Sequence, residues 1–453
     1  MNFEGFHLPG LDVAQIAAWG TLERPGIRVR WPMLEPGNLE SVWRHLSSRR
    51  ERVLLGTPVS EIVSAIDTAV ALMEREQPAT VELLSSFTGY SREIVAQTLT
   101  HMLRDWRADS LHTLLQSEFR DPHALDGPVP DPALPGKRTA VYGYPRALHI
   151  FSGNVPGVAV TSLVRSLLVK SATLGKTASG EPILPVLFAR ALCDVSPALA
   201  ECLAVTYWPG ASPQLDEAAI RAADVVVIYG GDEAVSSYQR AAAGKRVVVH
   251  GPRLSFGVVG GDHDPSIARD VAHAVAAYDQ QGCVSPHLVY VIGDQGAASR
   301  FARAVGEELH KLAAALPRGA LTAGEAVAIR NARTAAEFAD DTELIGSEQD
   351  GFAVIVEKDP SFKLSCLNRI LYVKAVATIP QVLAQLPAAE HLQSAALAGL
   401  NETEKAGLAR SLGLAGVSRI TSFAQLPWPP MHWHHDGSTP LGELVRWQDI
   451  EPD

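Results

Sequence analysis

Between residues 138 and 250 the chain alternates short apolar runs with helical stretches, and this alternation constrains the fold more than any other feature. Strands are expected at 147–152, 172–175, 202–208, 225–229 and 246–250, with helices at 157–169, 182–193, 216–223 and 232–243. Runs such as Val225-Val226-Val227-Ile228-Tyr229 are apolar on both faces. Strands of that kind belong in a parallel sheet with helices on each side. Ligands of such sheets bind beyond the carboxyl ends of the strands. Asn154, Lys176 and Gly230 each follow an expected strand, so the alternation brings them towards one crevice.

A second α/β unit is expected from about residue 255, with a helix at 267–278, a turn holding Cys283, a strand at 287–292, long helices over 296–340 and strands at 352–357 and 370–373. Residues 1–120 read mainly as helices. Ile62, Ile66, Val70 and Met73 recur at helical spacing there, and Ile94, Leu99 and Leu103 do so less regularly. Pro122, Pro128, Pro130, Pro132 and Pro135 forbid regular helix across 121–137, which reads as an exposed excursion. The tail from 427 is rich in Trp, Pro and His.

Length and composition limit the classes. A chain of 453 residues, 47% apolar and 20% charged, has room for two or three full cores and the make-up of an ordinary soluble protein. The formal net charge of -11 argues against a general nucleic-acid binder, which must neutralise phosphates. The four cysteines, Cys193, Cys202, Cys283 and Cys366, form no CxxC pair, which argues against a zinc site and for a reducing compartment. The N-terminus MNFEGFHLPG has no basic, then apolar, leader pattern. The most apolar helix, near 158–169, is interrupted by Arg165 and too short for a membrane span. The expectation is a cytoplasmic protein.

Two segments carry chemistry. Cys283 lies in Gln281-Gly282-Cys283-Val284-Ser285-Pro286, between an amphipathic segment and an apolar strand. A free cysteine is ordinarily a small buried apolar residue. A glycine-flanked turn favours an accessible thiol instead, while Cys193 and Cys202 lie on apparent core faces. Asn154 lies in the tight turn Phe151-Ser152-Gly153-Asn154-Val155-Pro156-Gly157. A turn asparagine often satisfies only its own backbone. Yet a fixed amide donor and a thiol nucleophile are two parts that acyl chemistry needs. Lys176 opens the loop that runs through Ser179 to Pro182, where it is either a solvated charge or a donor to ribose or phosphate. Gly230-Gly231 lets backbone approach a pyrophosphate, although no G-x-G-x-x-G is present. His432, His434, His435 and Asp436 are metal-ligand types. Adjacent histidines in one turn rarely serve one ion, so no metal is expected and a structural or interface role is favoured.

Together, HIFSGNVPGVAVTSLVRSLLVKSATLGKTASGEP, VVVIYGGDEAV, VVVHGPRLSFGVV, QQGCVSPHLVYV and MHWHHDGSTPLGELVRW resemble the LuxC-type acyl-CoA reductase family, a branch of the aldehyde dehydrogenase superfamily, over about residues 138–453. The resemblance implies an aldehyde dehydrogenase-like α/β fold. Its parts would be a helical segment 1–120 on the cofactor domain, an oligomerisation excursion 121–146, a Rossmann-type nucleotide-binding domain 147–254, a catalytic domain 255–425 and a tail 426–453 in oligomer contact. It implies NADPH-dependent reduction of an acyl thioester, from CoA or an acyl-carrier or acyl-protein donor, to an aldehyde through a Cys283 acyl-enzyme. Asn154 would hold the oxyanion, and Lys176, Ser179, Gly230 and Gly231 would hold the cofactor. A homo-oligomer, dimer or tetramer, is implied, with the tail pairing the excursion across a subunit boundary. The superfamily's water-activating glutamate has no counterpart in Val249-His250-Gly251-Pro252-Arg253-Leu254. Its absence favours reduction over hydrolysis of the acyl-enzyme, and His250 stands where it would assist proton transfer. Thr177-Ala178 departs from the superfamily's usual Pro-Ser after the lysine. The competing readings are a Cys-dependent acyltransferase or thioesterase, an aldehyde dehydrogenase working oxidatively, and an inactive scaffold.

Overall fold

The computed structural model describes residues 1–210, 212–261 and 264–452. Asp453, the end of the expected tail, lies outside them. The chain forms two compact units, the first from Met1–Thr88, Leu99–Gly251 and Pro430–Asp453, the second from Gly89–Thr98 and Pro252–Pro429.

The first unit is built on a five-stranded parallel sheet in the order Arg246–His250, Val225–Tyr229, Arg146–Ile150, Ala172–Lys176, Leu203–Thr206. The earliest of these strands lies in the middle. The chain moves outward on one side and then returns to the other side with Val225–Tyr229. Such a reversal opens a crevice at the carboxyl ends of the two strands that flank it. The register sets Ile150 beside both Lys176 and Ile228, and Tyr229 beside His250. Lys176, Tyr229 and His250 therefore share one sheet edge. The core on one face joins Leu39, Val42, Trp43 and Leu46 of the helix Pro36–Arg52 to Leu148, Leu174, Val226 and Ile228 of the sheet.

Residues 1–120 are not wholly helical. The strands Asn2–Glu4, Trp19–Arg24 and Ile27–Pro32 form a small sheet before the helices begin. Ile27, Val29 and Trp31 are buried while Arg28 is exposed, a period-two pattern too short to stand out beside the long helical periodicity that follows. The proline-rich excursion contains the strand Val129–Pro130 and leads into Arg138–Gly143. The tail strand Val445–Ile450 pairs antiparallel with Arg138–Gly143 of its own chain, Trp447 opposite Val141, and not across a subunit boundary as expected. Among the described residues no single helix is long and apolar enough to cross a membrane.

The second unit holds a seven-stranded sheet in the order Thr342–Ile345, Ala353–Glu357, Ile370–Val376, Pro286–Ile292, Leu254–Val259, Leu392–Ala398, Arg419–Thr421. Every pair is parallel except the first. Leu254–Val259 and Leu392–Ala398 carry weak strand signals, because one contains a glycine and the other is alanine-rich. Gly257 is required by packing, since a Cβ there would stand 2.3 Å from the Phe423 ring.

One buried carboxylate sets the start of a covering helix in the first unit. Glu181 is 4% exposed, and it accepts the N–H groups of Ile183 at 2.9 Å and Leu184 at 2.8 Å at the head of Leu184–Val195. Burial raises its pKa from 4.5 to about 7, against the opposing pull of the two N–H bonds. The raised acid is held protonated by the fold, so its contribution is fully present below the unfolded value and is lost as pH rises through the folded one. Glu181→Gln keeps the acceptor without the charge. Thermal melts should show the variant more stable than the parent at about pH 8, with the gap closing towards about pH 5.

Candidate active site

Cys283 occupies the turn that precedes the strand Pro286–Ile292, at the amino edge of the second unit's sheet. The residue is half-buried, while Gly282 and Val284 on either side are buried. Its carbonyl accepts the Ser255 hydroxyl at 2.8 Å, and Ser285 N–H closes the turn onto Gly282 O at 2.9 Å. The thiol thus projects from a backbone fixed on both sides, the state expected of a reactive cysteine rather than a core one.

The approach to this turn is strained. Tyr278, Asp279 and Gln280 have φ of 52, 47 and 65°, and Leu367, Asn368 and Arg369 have φ of 65, 55 and 68°. Left-handed runs of non-glycine residues persist only where their surroundings hold them. Here the two runs hold each other. Asn368 N–H donates to Asp279 O at 3.0 Å, and Arg369 Nε donates to Asp279 Oδ1 at 2.7 Å with both side chains 5% exposed or less. Gly319 N–H reaches Asp279 Oδ2 at 2.9 Å, and Arg369 also donates to Leu316 O at 2.9 Å. Gln280 donates to Pro286 O and Ile370 O at 2.7 and 2.9 Å, tying the strained run to the strands on both sides of it. Tyr278 donates to Pro427 O at 3.2 Å.

Arg419 begins the strand Arg419–Thr421 on the same amino edge. Its guanidinium is fixed by Leu426 O at 2.8 Å and Gln425 O at 2.6 Å. Burial lowers its pKa to about 10, while the Cys283 sulfur acts in the opposite direction. Arginine and thiol therefore sense each other's charge. A fixed guanidinium near a thiol favours the thiolate.

In the first unit, Asn154 is exposed in the segment between Arg146–Ile150 and the helix Val158–Leu168. Gly157, at φ 100°, starts that helix against Met102, where a Cβ would come within 2.8 Å of Cγ. Gly153 packs on Gly180, and a Cβ on Gly153 would stand 2.8 Å from the Gly180 Cα. The Asn154 turn and the Lys176 loop are therefore in backbone contact. Lys176 is 6% exposed, not solvated. Its ammonium donates to Asp216 Oδ1 at 3.2 Å and to the Tyr238 hydroxyl, while Tyr238 and Trp208 Nε1 donate to the same oxygen at 2.9 and 2.8 Å. Burial lowers its pKa and Asp216 opposes that. Two of the three ammonium hydrogens are used, so one is left for a ligand. Ser179 is exposed at the loop tip. Gly230 follows Val225–Tyr229, and Gly231 heads the helix Asp232–Ala241 with no side-chain cap and open space where a Cβ would stand. An uncapped helix start at a sheet's carboxyl edge fits the phosphates of a dinucleotide.

His250 ends the edge strand. Its Nδ1 lies 3.0 Å from Asp436 Oδ2, with the side chains 12% and 7% exposed. Its ring stacks with Tyr229, at 4.5 Å between centroids, and with His435, at 4.2 Å, and His435 stacks in turn on Trp433. Of the four tail residues read as metal-ligand types, the structure brings His435 and Asp436 together, with His250 added. The two imidazoles are within 12° of parallel. Their lone pairs lie in separate planes, which does not suit one ion.

Comparison with known proteins agrees with these features. The model of the family described as acyl-CoA reductase (LuxC) matches residues 54–447. The chain belongs to the LuxC family. A long-chain acyl-protein thioester reductase of Aliivibrio fischeri is 27% identical over 385 residues, 81% of this chain and 76% of that protein. An indole-3-acetaldehyde dehydrogenase mutant of P. syringae in complex with NAD+ has the same fold, with a TM-score of 0.79 at 15% identity over 99% of this chain and 97% of that one. So does an NADP-dependent glyceraldehyde-3-phosphate dehydrogenase of Bacillus halodurans complexed with NADP, with a TM-score of 0.77 at 13% identity over 96% of each chain. The fold is that of the aldehyde dehydrogenases, and the chain is an oxidoreductase that takes an acyl thioester to an aldehyde.

Sequence reading missed the residues that support the LuxC-family site. Arg369 and Arg419 have no local motif, since each acts on a partner more than 80 residues away; Asp436 was read only as a metal-ligand type, and its pairing with His250, 186 residues away, was not seen. Arg419→Met should raise the pH at which Cys283 becomes reactive and slow its alkylation by iodoacetamide near neutral pH. The rate–pH profile of alkylation, with the modified peptide identified by mass spectrometry, checks this.

Proposed function

We propose that the chain reduces an acyl thioester with NADPH through a covalent acyl-enzyme on Cys283. The observation that carries this reading is the half-buried thiol, held in a doubly anchored turn, in a chain matched by the LuxC model over 54–447. The Cys283 thiolate attacks the acyl carbon, the carbon–sulfur bond to the donor breaks, and the donor sulfur leaves with the electron pair and takes up a proton. The Asn154 amide and the Cys283 N–H serve the carbonyl oxygen as it gains charge. When bound, the nicotinamide cofactor supplies the hydride that brings the acyl carbon to the aldehyde level. The bond to Cys283 then breaks, which restores the thiolate and frees the aldehyde.

Lys176, Ser179, Gly230 and Gly231 hold the nucleotide in this reading. NADPH is supported by the loop Lys176-Thr177-Ala178-Ser179-Gly180, which carries no carboxylate. Glu181, the next residue, is buried and turned to its helix, so a 2′-phosphate meets no anion from this loop. The absence of a carboxylate from Val249 to Leu254 supports reduction, because no base there activates water against the acyl-enzyme. The donor is an acyl-CoA or an acyl-protein, the latter named for the Aliivibrio fischeri relative. Exposed Tyr142, Trp447 and Ile450 on the three-stranded sheet support a homo-oligomer.

Palmitoyl-CoA and NADPH incubated with the protein should give equal amounts of oxidised cofactor and free CoA thiol. Cys283→Ala should abolish both while keeping the melting temperature and its rise with NADPH. Thiol release without cofactor oxidation would show a thioesterase or acyltransferase instead.

A further inference from the structure

Lys176 reaches the carboxyl edge of the first unit's sheet with its charge already matched. It ends the strand Ala172–Lys176, opposite Thr206. Trp208 lies just past the strand Leu203–Thr206, Asp216 comes from the helix Pro213–Ala222, and Tyr238 comes from Asp232–Ala241. One carboxylate oxygen ties these elements together. Asp216 Oδ1 accepts the ammonium at 3.2 Å, the Tyr238 hydroxyl at 2.9 Å and Trp208 Nε1 at 2.8 Å. The Tyr238 hydroxyl accepts from the ammonium in turn. The Trp208 and Tyr238 rings also face the ammonium, with centroids 5.0 and 5.2 Å from Nζ. The Lys176 and Asp216 side chains are only 7% and 14% exposed. Charges held so far from water are screened little, and two opposite ones this close largely cancel for any group placed beside them. The ammonium hydrogen left for a ligand is therefore offered with little net charge behind it. A ribose hydroxyl needs only that hydrogen bond, whereas a 2′-phosphate gains chiefly from the charge.

We propose that Asp216 is a specificity-determining residue: by taking up the charge of Lys176 it moderates the preference for NADPH, so that the nucleotide site also takes NADH. This rests on the role in holding the cofactor proposed above for Lys176. The loop from Lys176 to Gly180 sets no carboxylate against a 2′-phosphate, which keeps NADPH the better ligand. Asp216 limits the margin between the two. Replacing Asp216 with Asn keeps an oxygen that can accept where Oδ1 stands and removes the negative charge. If Asp216 served packing alone, that change would act on both nucleotides alike. If it offsets Lys176, the change acts on the 2′-phosphate.

The test measures Kd for NADPH and for NADH by fluorescence titration of the full chain with no acyl donor, so that turnover does not enter. It compares wild type, Asp216→Asn and Lys176→Met. Asp216→Asn should raise the preference for NADPH by about threefold or more, through tighter NADPH binding with NADH nearly unchanged, and should make NADPH binding more sensitive to salt. Lys176→Met should bring the two constants together. A preference that is unchanged or lowered in Asp216→Asn, yet lost in Lys176→Met, would overturn this inference alone. A wild type that prefers NADPH by more than about a hundredfold would also overturn it, since that margin is what a charged contact gives when nothing offsets it, and this arm decides the matter even if Asp216→Asn does not fold. If Lys176→Met leaves both constants at their wild-type values, the nucleotide is held elsewhere, and the cofactor site proposed above falls together with this inference.

Discussion

The buried pair between Asp279 and Arg369 is the constraint on which the thiol's position depends. It joins two left-handed runs that neither run's residues would adopt alone, and it does so with side chains 5% exposed or less. Breaking a buried pair leaves an unpaired charge in the interior, at a cost of about 3–5 kcal/mol. That cost is what keeps the strained backbone from relaxing. Gln280 and Ser255 then transmit the fixed geometry to the Cys283 turn through bonds to Pro286 O and Cys283 O. Reactivity at one sulfur is thus underwritten by a charge pair that never meets solvent.

The two units solve different problems with the same architecture. The first uses the carboxyl edge of its sheet, where strand order reverses and where Lys176, Tyr229 and His250 each end a strand. The second uses the amino edge of its sheet, where Ser255, Cys283 and Arg419 lie at or just before strand starts. Lone carboxyl-edge ligand binding is the usual property of open parallel sheets. A nucleophile at the amino edge depends instead on the turn that feeds the strand, which explains why so many side-chain bonds converge on residues 278–286.

What could be read from the sequence was what local rules encode. The strands Val225–Tyr229 and Arg246–His250 fall where apolar runs predict them, because strands buried on both faces admit little else. The Cys283 turn was visible from its glycine and proline flanks. The two readings of Lys176, solvated charge or donor, could not be separated locally, because Asp216, Tyr238 and Trp208, which bury it, come from elements 30 to 60 residues on. The small sheet at the N-terminus was hidden by its short length, and the intrachain pairing of the tail by the roughly 300 residues that separate its partners. Arg369 and Arg419 were illegible for the same reason, and so was the partner of Asp436: each acts through space on a residue whose local sequence says nothing about it.

The central claim is that Cys283 carries the acyl group. The direct measurement is peptide mapping by mass spectrometry after exposure of the protein to palmitoyl-CoA with no reductant present. One palmitoyl group per chain, on the peptide containing Cys283 and removed when NADPH is added, is the expected result. An acyl group on Cys193, Cys202 or Cys366, or no acylation at all, would contradict the account.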